Sequence, residues 1–186
     1  FWEPLLVGLL KLLHQLLVLG LSPDTLEVCH RIVGDEMAHA ELSREVYLAA
    51  GGDADAVPLS RLGLRSGREP DSPLELRVLA TVADVFCCGE TVAVPLFLRI
   101  REGAREPVAV AALDRILRDE SVHRQFGWST LDELLEAFGD PARRWLADRV
   151  AGYTARIRDA YVHDGPDYDD HERAWGLMSA SGCGGP

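Results

Sequence analysis

Residues 34–42 read GDEMAHAEL, and residues 118–128 read RDESVHRQFGW. Each stretch sets a carboxylate three positions before an imidazole, Glu36 before His39 and Glu120 before His123, and in each the Glu follows an Asp. Three residues of helix advance about 300°, so the two side chains of a pair flank one face about one turn apart. Both can then ligate one ion, the carboxylate suiting a hard metal and the neutral imidazole adding a stronger-field nitrogen. A single Glu-x-x-His on a helix is most often a surface pair. Two copies in one chain call for a shared partner, and the rest of the sequence decides whether the fold brings them together.

Working outward, the chain is punctuated by helix starts and stops. Ser22-Pro23 is a cap with Pro at the first helical position, and Gly51-Gly52 closes the segment it opens. Asp71-Ser72-Pro73, Glu106-Pro107 and Asp140-Pro141 open three more. Between these marks the apolar spacing is helical and no run alternates over a strand's length. Val7, Leu10, His14 and Leu17 share one face of helix 1; Leu76, Leu79, Ala83, Phe86, Glu90 and Phe97 lie close to one face of helix 3. The pattern predicts five helices over 3–20, 23–50, 73–102, 107–137 and 141–163. Short turns join helices 1 and 2 and helices 3 and 4, so each pair packs antiparallel. The stretch GGDADAVPLSRLGLRSGREPDS between helices 2 and 3 is far longer than an ordinary helix connection. The expected class is all-α: a ferritin-like four-helix bundle with one long crossover between helices 2 and 3, plus a fifth C-terminal helix. A linker between two separate hairpins is disfavoured, since neither hairpin alone buries its apolar faces. The bundle and helix 5 span 1–163, and residues 164–186 form an acidic, then Gly-rich tail.

In such a bundle a dinuclear site needs one further carboxylate from each remaining helix. Helix 3 offers Glu90, an ionisable residue inside the apolar run FCCGETVAV. It precedes the turn at Ala104 by about as many residues as Glu120 follows it, which puts the two at nearly the same height. Helix 1 offers Glu3, whose height matches that of Glu36 to about 4 Å. Glu3 also stands beside Pro4 at the chain start, where a carboxylate favours a helix N-terminus in its own right. Four or five buried ionisable groups are very unfavourable without a cation to neutralise them.

Composition narrows the partners. The chain has 186 residues, is nearly half hydrophobic, and carries a net charge of −11, with Lys11 its one lysine. That balance disfavours nucleic acid and anionic membranes, which need clustered cations. Cys29, Cys87, Cys88 and Cys183 contain no Cys-x-x-Cys pair, so no zinc ribbon or redox dithiol is expected, and the pattern fits a reducing cytoplasm. The opening FWEPLLVGLLKLLHQLLVLG is interrupted by Glu3, Pro4, Lys11, His14 and Gln15 and reads as a buried helix, neither signal peptide nor membrane span. A start at Phe1 implies residues upstream, from which helix 1 begins earlier.

The order Glu, Glu-x-x-His, Glu, Glu-x-x-His resembles that of the ferritin-like diiron carboxylate proteins, over roughly residues 1–135. LGLSPDTLEVCHRIVGDEMAHA, CCGET and RDESVHRQFGW are similar to bacterial ferritin-like-domain proteins related to diiron oxidases and oxygenases. The resemblance implies that Glu3, Glu36, His39, Glu90, Glu120 and His123 hold two iron ions, with manganese also accepted by this ligand set and Glu36 and Glu120 as bridges. The departure is at Glu3, which has no helical context before it in the sequence. Met37 occupies the place of a haem-binding Met in bacterioferritin; its expected role here is packing or an interface, facing away from the site. Cys87 is expected to be a buried small residue, and His14 a core or polar-contact histidine too far from Glu3 to share its ion. Pro95 cannot donate to the Thr91 carbonyl, which predicts a bend or bulge near Glu90 that loosens it. Tyr47, two turns beyond His39, has no expected role. Trp145, Val150, Tyr153 and Ile157 mark the packed side of helix 5. In the tail, His163 and His171 read as solvated, while Trp175, Leu177 and Met178 can dock on the body or on a second subunit.

Three functions compete. The favoured one is a diiron oxidase or oxygenase that uses O2 as co-substrate and an external electron donor to oxidise a small organic molecule, with secondary metabolism as the family's guess. The alternative is a bacterioferritin- or rubrerythrin-like ferroxidase or peroxidase, disfavoured by the missing Cys-x-x-Cys pairs and the long fifth segment. The third, a metal-free helical interaction module, leaves Glu90, Glu120 and His123 buried to no purpose. A homodimer is compatible with the oxygenase reading.

Overall fold

The computed structural model describes residues 3–53, 69 and 71–161, the side chains of residues 3–5, 160 and 161 excepted. The described residues are helical and contain no strand: α1 (Glu3–Leu19), α2 (Pro23–Ala49), α3 (Leu74–Thr81), a π-helical segment (Val82–Gly89), α4 (Glu90–Gly103) and α5 (Pro107–Tyr161). Most of the crossover, residues 54–68 and 70, and the tail from residue 162 with His163, His171, Trp175, Leu177, Met178 and Cys183 lie outside the described residues.

Local chemistry sets the boundaries. Gly20, at φ 74°, ends α1 in the left-handed region that a side chain resists. Ser22 then caps α2: its hydroxyl accepts from the Thr25 amide at 3.3 Å, Pro23 fits the first turn, and Asp24 complements the helix dipole. α3, the π-helical segment and α4 follow one another without a break, the Glu90 amide reaching back five residues to the Val85 carbonyl. The expected bulge near Glu90 is therefore present, but it precedes Glu90 and does not centre on Pro95. α5 is broken at Gly139, whose φ of 67° and ψ of −158° are not helical, into arms 107–138 and 140–161. The two arms correspond to the expected fourth and fifth helices.

Four helical rods pack in a ring: α1 on α2, α2 on α5, α5 on the π-helical segment and α4, and α3 back on α1. The main core is built from Leu9, Leu12 and Leu16 of α1, Ile32 of α2, Leu79, Ala83 and Phe86 of the third rod, and Phe126 and Leu134 of α5. A second, small cluster of Val46, Ala109 and Ala112 joins the far end of α2 to the start of α5. Between these two apolar blocks α2 and α5 carry their ionisable residues. Leu74–Gly103 is long and apolar enough to cross a membrane by composition, yet Val78, Leu79, Val82, Ala83 and Phe86 are core residues.

Two assignments of faces are corrected. On α1 the buried stripe is Leu6, Leu9, Leu12 and Leu16, whereas Val7, Leu10, His14 and Leu17 are exposed, His14 included. α1 is apolar almost all round, so periodicity alone cannot choose between neighbouring stripes. On the second arm of α5, Tyr153 and Trp145 pack inward as expected, but Val150 is exposed and Ala142 and Leu146 take its place.

Candidate metal centre

α2 turns Asp35, Glu36 and His39 inward, and α5 turns Asp119, Glu120 and His123 to meet them. Ligand atoms of Glu36, His39, Glu120 and His123 all lie within 4.8 Å of one another, a group that can hold a metal ion. His123 is completely buried, and His39 and Glu120 nearly so. Glu36 Oε1 lies 3.2 Å from His123 Nδ1 and 3.5 Å from His39 Nδ1. Glu120 answers from the other side, 3.4 Å from His123 Nδ1 and 3.7 Å from His39 Nδ1. Each carboxylate thus stands between both imidazoles, and both rings present Nδ1 to the centre.

The outward ring nitrogens meet the two aspartates in a crossed pattern. His39 Nε2 donates to Asp119 Oδ2 at 3.0 Å, from α2 to α5. His123 Nε2 lies 3.5 Å from Asp35 Oδ2, from α5 to α2. Arg115 closes the arrangement, donating from Nε to Asp119 at 2.6 Å and from Nη2 to Asp35 at 3.2 Å. The hydrogen bond from Asp119 orients the His39 ring with Nδ1 toward the centre, the arrangement that supports metal-bound histidines, while Asp35 stands behind His123 at a longer distance.

Burial alone pushes the Glu36 carboxyl up, but the facing His123 and His39 outweigh it and hold it down at about 2. Burial disfavours a charged His123, yet Glu120 and Glu36 overcome this and push it up to about 10. His39 is raised for the same reason, against its burial, by Glu36, Asp119 and Glu120. Asp119 is lowered, the Arg115 and His39 contacts prevailing over burial. Glu90 is the opposite case: burial and then contact with Glu120 raise it to about 9, so at neutral pH it keeps its proton.

The residues fit a cation. His123 Nδ1 and Nε2, Glu120 Oε2 and Asp35 Oδ2 are buried without a hydrogen-bond partner among the described residues. Buried polar atoms are normally satisfied, and a hard O and N donor set facing a common point is what a divalent ion requires. Glu90 stands outside the four-residue group but touches Glu120, and both line a cavity of about 200 Å³. Its other walls are Glu36 and the apolar Leu9, Ile32, Val85, Phe86, Ala93 and Phe97.

The structure therefore brings four of the six residues expected from sequence into one group and sets a fifth, Glu90, against Glu120. The Glu3 side chain lies outside the described residues, although α1 begins at that position. Met37 is exposed and points away from the centre, and Cys87 is buried with its thiol pushed up to about 12 by burial. Asp35, Asp119 and Arg115 had no assigned role in the sequence reading. Their signal was available: an Asp before each Glu, twice over, and an Arg one turn before the second. Comparisons with protein-family models, curated proteins and solved structures gave no significant match.

Proposed function

We propose that this chain is a ferritin-like non-haem diiron oxidase or oxygenase, which activates O2 to oxidise a small organic substrate. The observation that carries the reading is the convergence of Glu36, His39, Glu120 and His123 in one buried group, with Glu90 against Glu120. Those five residues, with Glu3 as a sixth, would hold a pair of iron ions, and Glu36 and Glu120 suit bridging positions because each faces both imidazoles. A bound iron pair supplies the electrons that reduce O2 and the oxidising equivalents that reach the substrate. The chain's part is to hold and to shield. Asp119 orients His39 through Nε2, and Arg115 holds both aspartates in place. Glu90 would have to give up its proton to ligate a cation, and Leu9, Ile32, Ala93 and Phe97 give the cavity beside it an apolar wall.

The apolar wall of the cavity supports substrate oxidation over iron storage, because it gives a small organic molecule a surface to pack on beside Glu90 and Glu120. The deciding experiment is metal analysis of the protein purified from its own host, alongside Glu120→Ala. About two irons per chain in the native protein, lost in the variant, is the expected result. Fewer than about one metal per chain, unchanged in the variant, would remove the reading. The ferroxidase alternative separates by light scattering and O2 uptake: a large cage that accumulates iron favours it, and a monomer or dimer that consumes O2 without storing iron does not.

A further inference from the structure

Gly127 lies on α5 one turn beyond His123 and is buried against the π-helical segment. A Cβ built at this position would meet Phe86 Cβ at 2.6 Å, the Phe86 carbonyl carbon at 2.8 Å and the Cys87 amide nitrogen at 3.0 Å. The last two are backbone atoms, so no rotamer change relieves the contact. Phe126, the preceding residue, stacks edge-on against the Phe86 ring with centroids 5.0 Å apart. Phe126 and Gly127 together form a seat for the widened coil at Phe86-Cys87.

That coil sets the direction of Glu90. The π-helical segment ends at Gly89, and the Glu90 amide closes its last turn on the Val85 carbonyl. A π turn holds one more residue than an α turn, so the side chains after it are rotated relative to a continuous α-helix, by about 100° for each residue taken up. Were the segment to rewind as α-helix with the same residues, Glu90 would leave the face that meets Glu120.

We propose that Gly127 is a positioning residue whose missing side chain lets the π-helical segment seat on α5 in the winding that delivers Glu90 to Glu120. The inference rests on the proposed metal centre only for its importance, and its test is read on metal-free protein. Glu90 is a buried carboxyl group set against Glu120, and an amide of the same shape donates to Glu120 without a carboxylate having to be buried there, so Glu90→Gln raises the melting temperature of the metal-free native chain. In a Gly127→Ala background the same substitution is expected to give less than half that gain, because Glu90 no longer faces Glu120. An equal gain in both backgrounds overturns the proposal. A cobalt(II) titration adds a second readout: Gly127→Ala is expected to bind about tenfold more weakly or worse, while Leu16→Ala, a core deletion on α1, keeps native affinity. Native affinity in Gly127→Ala counts against the proposal. Should the native chain take up no cobalt, the metal-centre reading fails and the melting comparison still decides this one. If Gly127→Ala does not fold, removing Cys88 as well shortens the segment so that it can wind as α-helix. That double variant is expected to fold, and its failure to do so overturns the proposal.

Discussion

His39 and His123 are held by carboxylates in the metal-free chain, and this sets how the protein responds to pH. Glu90, raised from 4.5 to about 9, keeps a proton when folded that the unfolded chain gives up. His123, raised from 6.5 to about 10, contributes stability that is fully present below pH 6.5 and is lost as pH climbs through its folded value. His39 acts in the same direction. Glu36, lowered to about 2, contributes stability present above 4.5 and lost as pH falls toward 2. Between about pH 5 and 9 the folded state therefore binds more protons than the unfolded one, and stability falls as pH rises. Melting with chelator present is expected to drop by on the order of 10 °C over that range. Manganese(II) must displace those protons to bind, so its stabilising effect grows with pH. A metal-free melting temperature that rises from pH 5 to 9 is incompatible with this account. The aspartates make a second residue-scale prediction. Asp119→Asn removes a 3.0 Å hydrogen bond to His39 and weakens metal binding by about 10- to 100-fold in a chelator competition. Asp35→Asn costs less, because Asp35 stands 3.5 Å from His123, beyond good hydrogen-bond geometry.

At the scale of the element, α5 does more than present ligands, since it also caps α2. Glu133 accepts from the Ser22 amide at 2.6 Å, the Ser22 hydroxyl at 3.1 Å and the Thr25 hydroxyl at 2.6 Å. A carboxylate over the first turn of α2 satisfies orphan donors and complements the helix dipole. Glu133→Ala is expected to lower stability by about 1–3 kcal/mol in denaturant unfolding, with metal stoichiometry unchanged. Lost metal alongside unchanged stability would contradict that division of labour. The same elements show what a sequence can disclose. Ser22-Pro23, Gly51 and Asp140-Pro141 mark helix ends because their chemistry is local, and the structure places ends there. The inner stripe of α1 was not legible, because Leu and Val surround that helix and the choice among them is made by α2 and α3. Nor was the π-helical segment, since VADVFCCG has an apolar period that an α-helix satisfies equally well. The close approach of Gly127 is tertiary and leaves no mark in local pattern.

Across the whole molecule, the site was legible to the extent that each motif repeats in sequence, and hidden where two helices must cross to make it. Glu36, His39, Glu120 and His123 announce themselves by spacing; the exchange of Asp35 and Asp119 between helices needs the packed pair α2 and α5. The same holds for the second arm of α5, which doubles back at Gly139 onto the rod that carries Glu90. Tyr153 anchors it in the main core, Arg149 lies over the Trp145 ring at 3.9 Å, and Arg156 Nη2 meets the buried Asp84 at 2.8 Å within the π-helical segment. The arm thus braces the element that aims Glu90. Breaking a fully buried pair typically costs 3–5 kcal/mol, but the Arg156 side chain is 49% exposed and solvent screens part of its charge. Arg156→Ala is therefore expected to destabilise the protein by about 2 kcal/mol, a fall of roughly 4–8 °C in melting temperature for a chain of this size. Loosening should begin in the arm, so proteolytic cleavage within residues 140–161 is expected to accelerate in the variant before any cut appears in α1 or α2. An unchanged melting temperature with an unchanged cleavage order would show the arm to be a passive cover, and the brace on the π-helical segment would have to lie in Tyr153 and Leu146 instead.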